Sequence, residues 1–221
     1  LGDGRVARIR FTTRADGDLR IDGDPDELAA TRAGLVDLPW TWLRQVHADR
    51  VVVVDEPGAG AGESADAAVT AVRGAVLAVH TADCGPIALV ADGGAVAVAH
   101  AGWKGLASGV VAATVTRLGE VADGPVRAVV GSVIGPECYE FGAEDLERVV
   151  ELLGPEVAGR TSAGAPALDL AAGIRVALER AGVSDVAFVG GCTACGPDLF
   201  SHRARVDTGR QAVLAWIDDA A

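Results

Sequence analysis

The chain has 221 residues, half of them apolar, and a formal net charge of −12 at pH 7. An acidic surface without clustered Lys or Arg excludes nucleic acid as a partner, because phosphate contacts need grouped cations. No apolar run approaches the ~20 residues that cross a bilayer, and the first residues lack the basic, apolar and small-residue series of a secretory signal. The expectation is a cytoplasmic protein with no membrane partner.

The opening stretch "VARIRFTTR" (6–14) reads as a strand. "DPDELAATRAGLV" (24–36) reads as a helix, with Asp24 as N-cap, Pro25 at the first helical position and acids in the first turn. "WLRQVHADRVVVVDE" (42–56) is strand-like around a polar centre, and "PGAGAGESAD" (57–66) is a Gly-rich loop. Three apolar segments follow, "AAVTAV", "AVLAVHTADC" and "AVAVAHAGW". A "DGG" turn falls between the last two, and their length and Val content predict buried strands. "KGLASGVVAATVTRLGEV" (104–121) predicts one helix with small residues on its packing face, and "VRAVVGSVIGP" (126–136) a strand. "GAEDLERVVELLG" and "LDLAAGIRVALERAG" are amphipathic helices, the second capped by Asp169 and ending at Gly182. "VSDVAFVGGCTACG" is a strand into a turn, and "TGRQAVLAWID" a closing strand. With no repeat and no linker, interleaved strands and helices predict a single mixed α/β domain over residues 1–221.

Ala, Gly, Val, Arg and Asp dominate, so the rare residues carry the information: four Cys, four His, no Met, and Lys104 as the one lysine. Four Cys in an intracellular chain read as free thiols or ligands rather than disulfides. Cys192 and Cys195 make a C-x-x-C. It offers only two of the four ligands of a structural zinc, and no second C-x-x-C exists, so no shared function is assigned to it.

His80 and Cys84 stand four apart, a spacing that invites a local metal pair. On a strand the two would lie ~13 Å apart at ~3.3 Å per residue, too far to share an ion. The partners of Cys84 must come from elsewhere. His47 in "RQVHADR" and His100 in "VAVAHAGWKG" both lie at ends of apolar strands, where α/β folds place ligands. Cys84, His47 and His100 would give three ligands and an open fourth position, as a catalytic zinc needs. Without metal the same set is a Cys–His nucleophile pair, and the plain alternative is three hydrogen-bonded core residues. Behind His100, Gly102 and a helix N-terminus with Lys104 in its first turn suit an anion.

The ordered motifs "QVH" (45–47), "ADAAVT" (65–70), "TADCGP" (81–86), "HAGWKG" (100–105), "IGPECYEFG" (134–142), "CT" (192–193) and "FSHR…TGRQA" span nearly the whole chain. In this the chain resembles the YfiH family, once called multicopper polyphenol oxidoreductases or laccase-domain proteins and now regarded as purine nucleoside phosphorylases. The resemblance implies an α+β fold, a layered α/β/β/α sandwich with mixed β-sheets. It implies a metal site of His47, Cys84 and His100, holding zinc, with copper the ion of older descriptions. It implies phosphorolysis of adenosine, inosine and 5′-methylthioadenosine to base and sugar 1-phosphate, and deamination of adenosine. Purine nucleosides and phosphate would be the small-molecule partners.

Three departures from the family pattern bear on substrate. The N-terminal stretch after "TTR" is shorter than usual, Lys104 replaces an Arg, and His202 and Ala204 stand in for Tyr and Arg in "FSYRR". A lysine keeps the charge but loses the bidentate fork for phosphate. Within this frame Asp83 or Asp66 would protonate the departing base or else cap a turn, and Lys104, Arg203 and the helix after Gly102 would hold phosphate. Gln45 would read a purine edge or orient His47. The rival readings are a metal-free Cys–His hydrolase, a copper-dependent polyphenol oxidase, and a partner-binding protein without activity. Four His and no Met are too few to build both a blue-copper centre and a trinuclear cluster.

Overall fold

A computed structural model describes residues 4–220. Along the first half run β1 (Arg5–Phe11), α1 (Pro25–Leu35), β2 (Trp40–Trp42), β3 (Val51–Val53), β4 (Ala67–Thr70), β5 (Val76–Thr81), β6 (Gly85–Ala91) and β7 (Ala95–Ala101). Then come α2 (Trp103–Ser108), α3 (Val110–Val121), β8 (Val126–Val130), α4 (Ala143–Leu153), β9 (Ala158–Arg160) and β10 (Pro166–Leu168). The chain closes with α5 (Leu170–Arg180), β11 (Asp185–Phe188), α6 (His202–Arg205) and β12 (Gln211–Asp219). Pro25 opens α1 while the Asp24 side chain accepts from the N–H groups of Asp26 and Glu27. Asp169 caps α5 the same way through Ala172. Both caps satisfy donors that a helix start leaves free.

The strands form a four-stranded sheet in the order β1-β12-β5-β2, a six-stranded sheet in the order β11-β8-β6-β7-β4-β3, and a small β9–β10 hairpin. Three pairings are parallel, β2 with β5, β3 with β4 and β8 with β11, and the others are antiparallel. First and last strands are partners, with Phe11 opposite Val213 and Arg5 opposite Asp219.

Strand alternation sorts the core into layers. On β5 and β12, Leu77, Val79, Val213, Ala215 and Ile217 meet Ala88, Val90, Val96 and Val98 of the six-stranded sheet. The opposite parity, Val76, Ala78, Ala212 and Leu214, packs with Leu28 of α1. On the far side, Ile87, Leu89 and the alternate alanines 95, 97, 99 and 101 of β7 face α3 and α5 through Val110, Val111, Leu118, Ile174 and Leu178. The result is the expected α/β/β/α sandwich. A fully buried leucine such as Leu77 contributes ~2 kcal/mol by leaving water.

Local differences from the sequence reading are informative. The stretch 42–56 is not one strand: β2 and β3 belong to different sheets, and the chain crosses between them through an irregular link that carries His47. Gly85–Ala91 is a strand in its own right, so the "DGG" turn joins β6 to β7. The helix expected over 104–121 breaks at Gly109, whose φ of 89° is left-handed and closes α2 before α3 begins. The β9–β10 hairpin and α6 had no clear sequence signal because both are short. No helix among the described residues is long and apolar enough to cross a membrane.

Candidate metal centre

Asp66 lies just before β4 and is fully buried. Its carboxylate accepts backbone N–H bonds from Val46 (3.0 Å), His47 (2.9 Å) and Ala48 (2.9 Å). Three consecutive amides can converge on one carboxylate because His47 adopts a left-handed φ of 59°. The same carboxylate meets Nδ1 of His100 at 2.8 Å, and the Asp66 carbonyl accepts from the His100 N–H at 2.7 Å. An ionised carboxylate only accepts, so His100 carries its proton on Nδ1 and turns Nε2 outward. Burial alone would raise Asp66, but the hydrogen bonds from His100, Ala48 and Val46 outweigh it and hold the carboxyl below its usual range.

Cys84 sits in the turn between β5 and β6, after Asp83, whose φ is 103°. Its Sγ is 3.8 Å from Nε2 of His47. The rings of His47 and His100 meet edge-on with centroids 4.7 Å apart. One ligand atom from each of His47, Cys84 and His100 lies within 4.8 Å of the others. Gly102 makes this approach feasible: a Cβ there would stand 2.8 Å from Cδ2 of His47 and 2.9 Å from the Cys84 sulfur. His47 is exposed while His100 is buried, so the set opens to solvent on one side.

The electrostatics favour a thiolate at Cys84 beside a protonated His100. Burial pushes the Cys84 thiol up, yet the His100 charge and hydrogen bonds from His100 and His47 bring it below its ordinary value. Burial opposes protonation of His100, but the Cys84 charge and the Asp66 hydrogen bond hold it above its ordinary value. One thiolate, two imidazoles, a carboxylate fixing one ring, and an open side together fit a catalytic zinc or copper ion.

The family described as multi-copper polyphenol oxidoreductase laccase matches residues 15–218. The chain belongs to this family. A purine nucleoside phosphorylase of Streptomyces coelicolor is 43% identical over 197 residues, covering 87% of this chain and 81% of that protein. A purine nucleoside phosphorylase of Mycobacterium tuberculosis H37Rv is 38% identical, covering 97% of this chain and 89% of the relative. Among solved structures, a Neisseria meningitidis protein superposes with a TM-score of 0.83 at 31% identity, covering 96% of this chain and 94% of its own. The Bacillus licheniformis hypothetical protein YfiH gives 0.82 at 25% identity, covering 95% and 92%.

The other residues singled out in this laccase-family chain fall into two groups. Gln45 and Asp83 are held by the protein itself, as is Arg205, the next residue after Ala204. The Gln45 amide donates to the His80 carbonyl (2.7 Å) and accepts from the His80 N–H (2.8 Å), bracing the loop against β5. Asp83 accepts from the Thr193 hydroxyl and from the Arg203 N–H, both at 2.6 Å. Arg205 binds the carbonyls of Thr193, Ala194, Gly196 and Leu199, so it organises that loop rather than replacing the missing guanidinium at Ala204.

Lys104, Arg203, His202 and Ala204 are exposed. The Lys104 ammonium lies 5.5 Å from the centroid of Trp103, and the Arg203 guanidinium 5.0 Å from that of Tyr139. The helix that carries Lys104 is only six residues long, which shortens the dipole expected behind Gly102. His80 is buried on the side of β5 that faces α1, and neither ring nitrogen has a hydrogen-bond partner among the described residues. It is a bystander of the metal centre. One contributor escaped the sequence reading, Asp66 as the brace of both histidines; the Tyr139 phenol is raised first by burial and then by the Cys84 charge.

Proposed function

We propose that the chain is a purine nucleoside phosphorylase that cleaves adenosine, inosine and 5′-methylthioadenosine, with zinc as its resident ion at His47, Cys84 and His100, and that it also deaminates adenosine. The observation that carries the reading is this donor set, braced by Asp66, in a chain 43% identical to a protein named purine nucleoside phosphorylase. When bound, zinc supplies a Lewis acid and lowers the pKa of water.

The chain's own groups supply the rest. In phosphorolysis a phosphate oxygen bonds to C1′ as the C1′–N9 bond breaks, and the base takes a proton as it leaves with the bonding pair. Lys104 and Arg203 are the cations assigned to phosphate, both exposed and each beside an aromatic ring. Asp83 or Asp66 is the acid expected from sequence, and both oxygens of Asp83 are already engaged as acceptors, from the Thr193 hydroxyl and the Arg203 N–H. We therefore assign Asp83 to positioning the Cys84 turn and the Arg203 backbone. Tyr139, kept protonated by burial and the Cys84 charge, is the candidate to protonate the base. Gln45 is assigned to holding the His47 loop against β5.

A metal-free Cys–His hydrolase is the second reading, favoured by the lowered Cys84 and raised His100, which describe a thiolate–imidazolium pair. A copper oxidase remains short of ligands, with three donors gathered here and four His in all. The deciding experiment incubates the protein with inosine or adenosine, with and without phosphate. Ribose 1-phosphate formed only with phosphate, and lost together with the ion of this site in Cys84→Ala, supports the assignment. A Cys84→Ala protein with full zinc and full phosphorolysis overturns it.

A further inference from the structure

We propose that Glu137, Cys138, Cys192 and Cys195 form a second, structural zinc site, separate from the His47–Cys84–His100 centre. From sequence the C-x-x-C lacked two ligands. The fold supplies them from a loop more than fifty residues earlier in the chain, since Glu137 and Cys138 pack against Cys195 at sequence separations of 58 and 57. One donor atom from each of the four residues lies within 4.8 Å of the others.

The spacings suit a tetrahedron. Metal–sulfur bonds of ~2.3 Å at tetrahedral angles put sulfurs ~3.8 Å apart. The Cys138 and Cys195 sulfurs are 3.5 Å apart, and the Cys195 sulfur is 3.6 Å from a Glu137 carboxylate oxygen. All the cysteines are free. A backbone donor also points at the set: the Gly135 N–H lies 3.1 Å from the Cys192 sulfur. Such an N–H stabilises a thiolate and orients it, as the outer hydrogen bonds of metal sites do. Three thiolates and a carboxylate fill four positions, leaving none open, which is the mark of a structural rather than a catalytic zinc.

The location gives the site a task. Its two loops both hold Asp83, the residue before Cys84. Ile134, just ahead of the first loop, donates its N–H to the Asp83 carbonyl at 2.9 Å. Thr193, between the two cysteines of the second, donates its hydroxyl to the Asp83 carboxylate. Val133 and Cys192 also form a β-bridge. An ion shared by the loops would fix this bridge where no strand pairing extends it.

The test is zinc stoichiometry of the full chain, reduced, loaded with Zn2+ and desalted, measured by elemental mass spectrometry and by competition with a chromophoric chelator. Two equivalents are expected in the wild type, and one each in Cys84→Ala and Cys195→Ser. Cobalt loading adds a signature: the strong charge transfer of a three-thiolate site persists in Cys84→Ala, and in Cys195→Ser it falls to the weaker band of the single Cys84 thiolate. Glu137→Gln, which keeps every thiol, weakens the second equivalent alone. A wild type that holds one equivalent, lost entirely in Cys84→Ala, overturns the proposal. So does a Cys138–Cys195 disulfide in protein that has two free thiols and takes up one equivalent.

Discussion

The Asp66 carboxylate binds the His100 imidazole at 2.8 Å and, through three amides, the backbone around His47. One buried acid thus sets the tautomer of one candidate ligand and the path of the chain at another. In Asp66→Asn, the side-chain NH2 would face donors and leave a buried N–H without a partner. Zinc affinity is expected to fall ~10–100-fold, the usual effect of losing a partner of a ligating histidine. A chelator competition titration of wild type and variant measures it. An unchanged affinity would remove Asp66 from the centre.

Gly102 lies against both His47 and Cys84, and a methyl group there would enter the space between them. Its φ of −82° is open to any residue, so Gly102→Ala tests space rather than backbone strain. The variant is expected to keep its fold by circular dichroism while losing one equivalent of zinc and phosphorolysis together.

If Lys104 binds phosphate, Lys104→Ala raises the KM for phosphate roughly tenfold, the size of one charge-assisted hydrogen bond open to water. The KM for inosine should stay unchanged, and Lys104→Arg should restore phosphate binding. Initial rates over a matrix of both substrates separate the two constants. Equal rises in both would argue against a phosphate role.

Burial, and then the charges of Arg32, His100 and Arg210, push His80 from 6.5 down to about 3. The unfolded chain therefore binds a proton that the folded chain refuses between those values. The stability tied to neutral His80 is fully present above pH 6.5 and is lost as pH falls toward 3. His80→Leu should match the wild type at neutral pH or exceed it by ~1 kcal/mol, because two unpaired ring nitrogens are removed. It should also flatten the acid limb of denaturant midpoint against pH, and an identical acid limb would exclude His80 as its source.

Much of the fold was readable because the strands are short, Val-rich apolar runs, as in Ala95–Ala101, and because Asp24–Pro25 and Asp169 announce helix starts. The meeting of His47, Cys84 and His100 was readable because Cys84 and His100 stand at the edges of such strands, where the apolar run stops. The largely apolar run from 75 to 91 concealed β6 as a strand of its own, since strands buried on both faces do not alternate in polarity. The role of Asp66 was hidden for a different reason. Its partners are backbone amides and a histidine 34 residues away, and nothing local marks a carboxylate as an acceptor for distant groups. The Glu137–Cys138 contact with the C-x-x-C was out of reach in the same way.

Two of the three candidate ligands occupy the links where the chain changes sheets: His47 between β2 and β3, and Cys84 between β5 and β6, while His100 lies at the end of β7 within the larger sheet. The centre therefore measures the alignment of the two sheets. Sliding one over the other would draw His47 and Cys84 away from His100, and an ion held by all three would resist that shear. By reciprocity, whatever alters the sheet alignment alters the grip on the ion. A nucleoside seated against one sheet could in this way be felt as a change in metal affinity without touching a ligand.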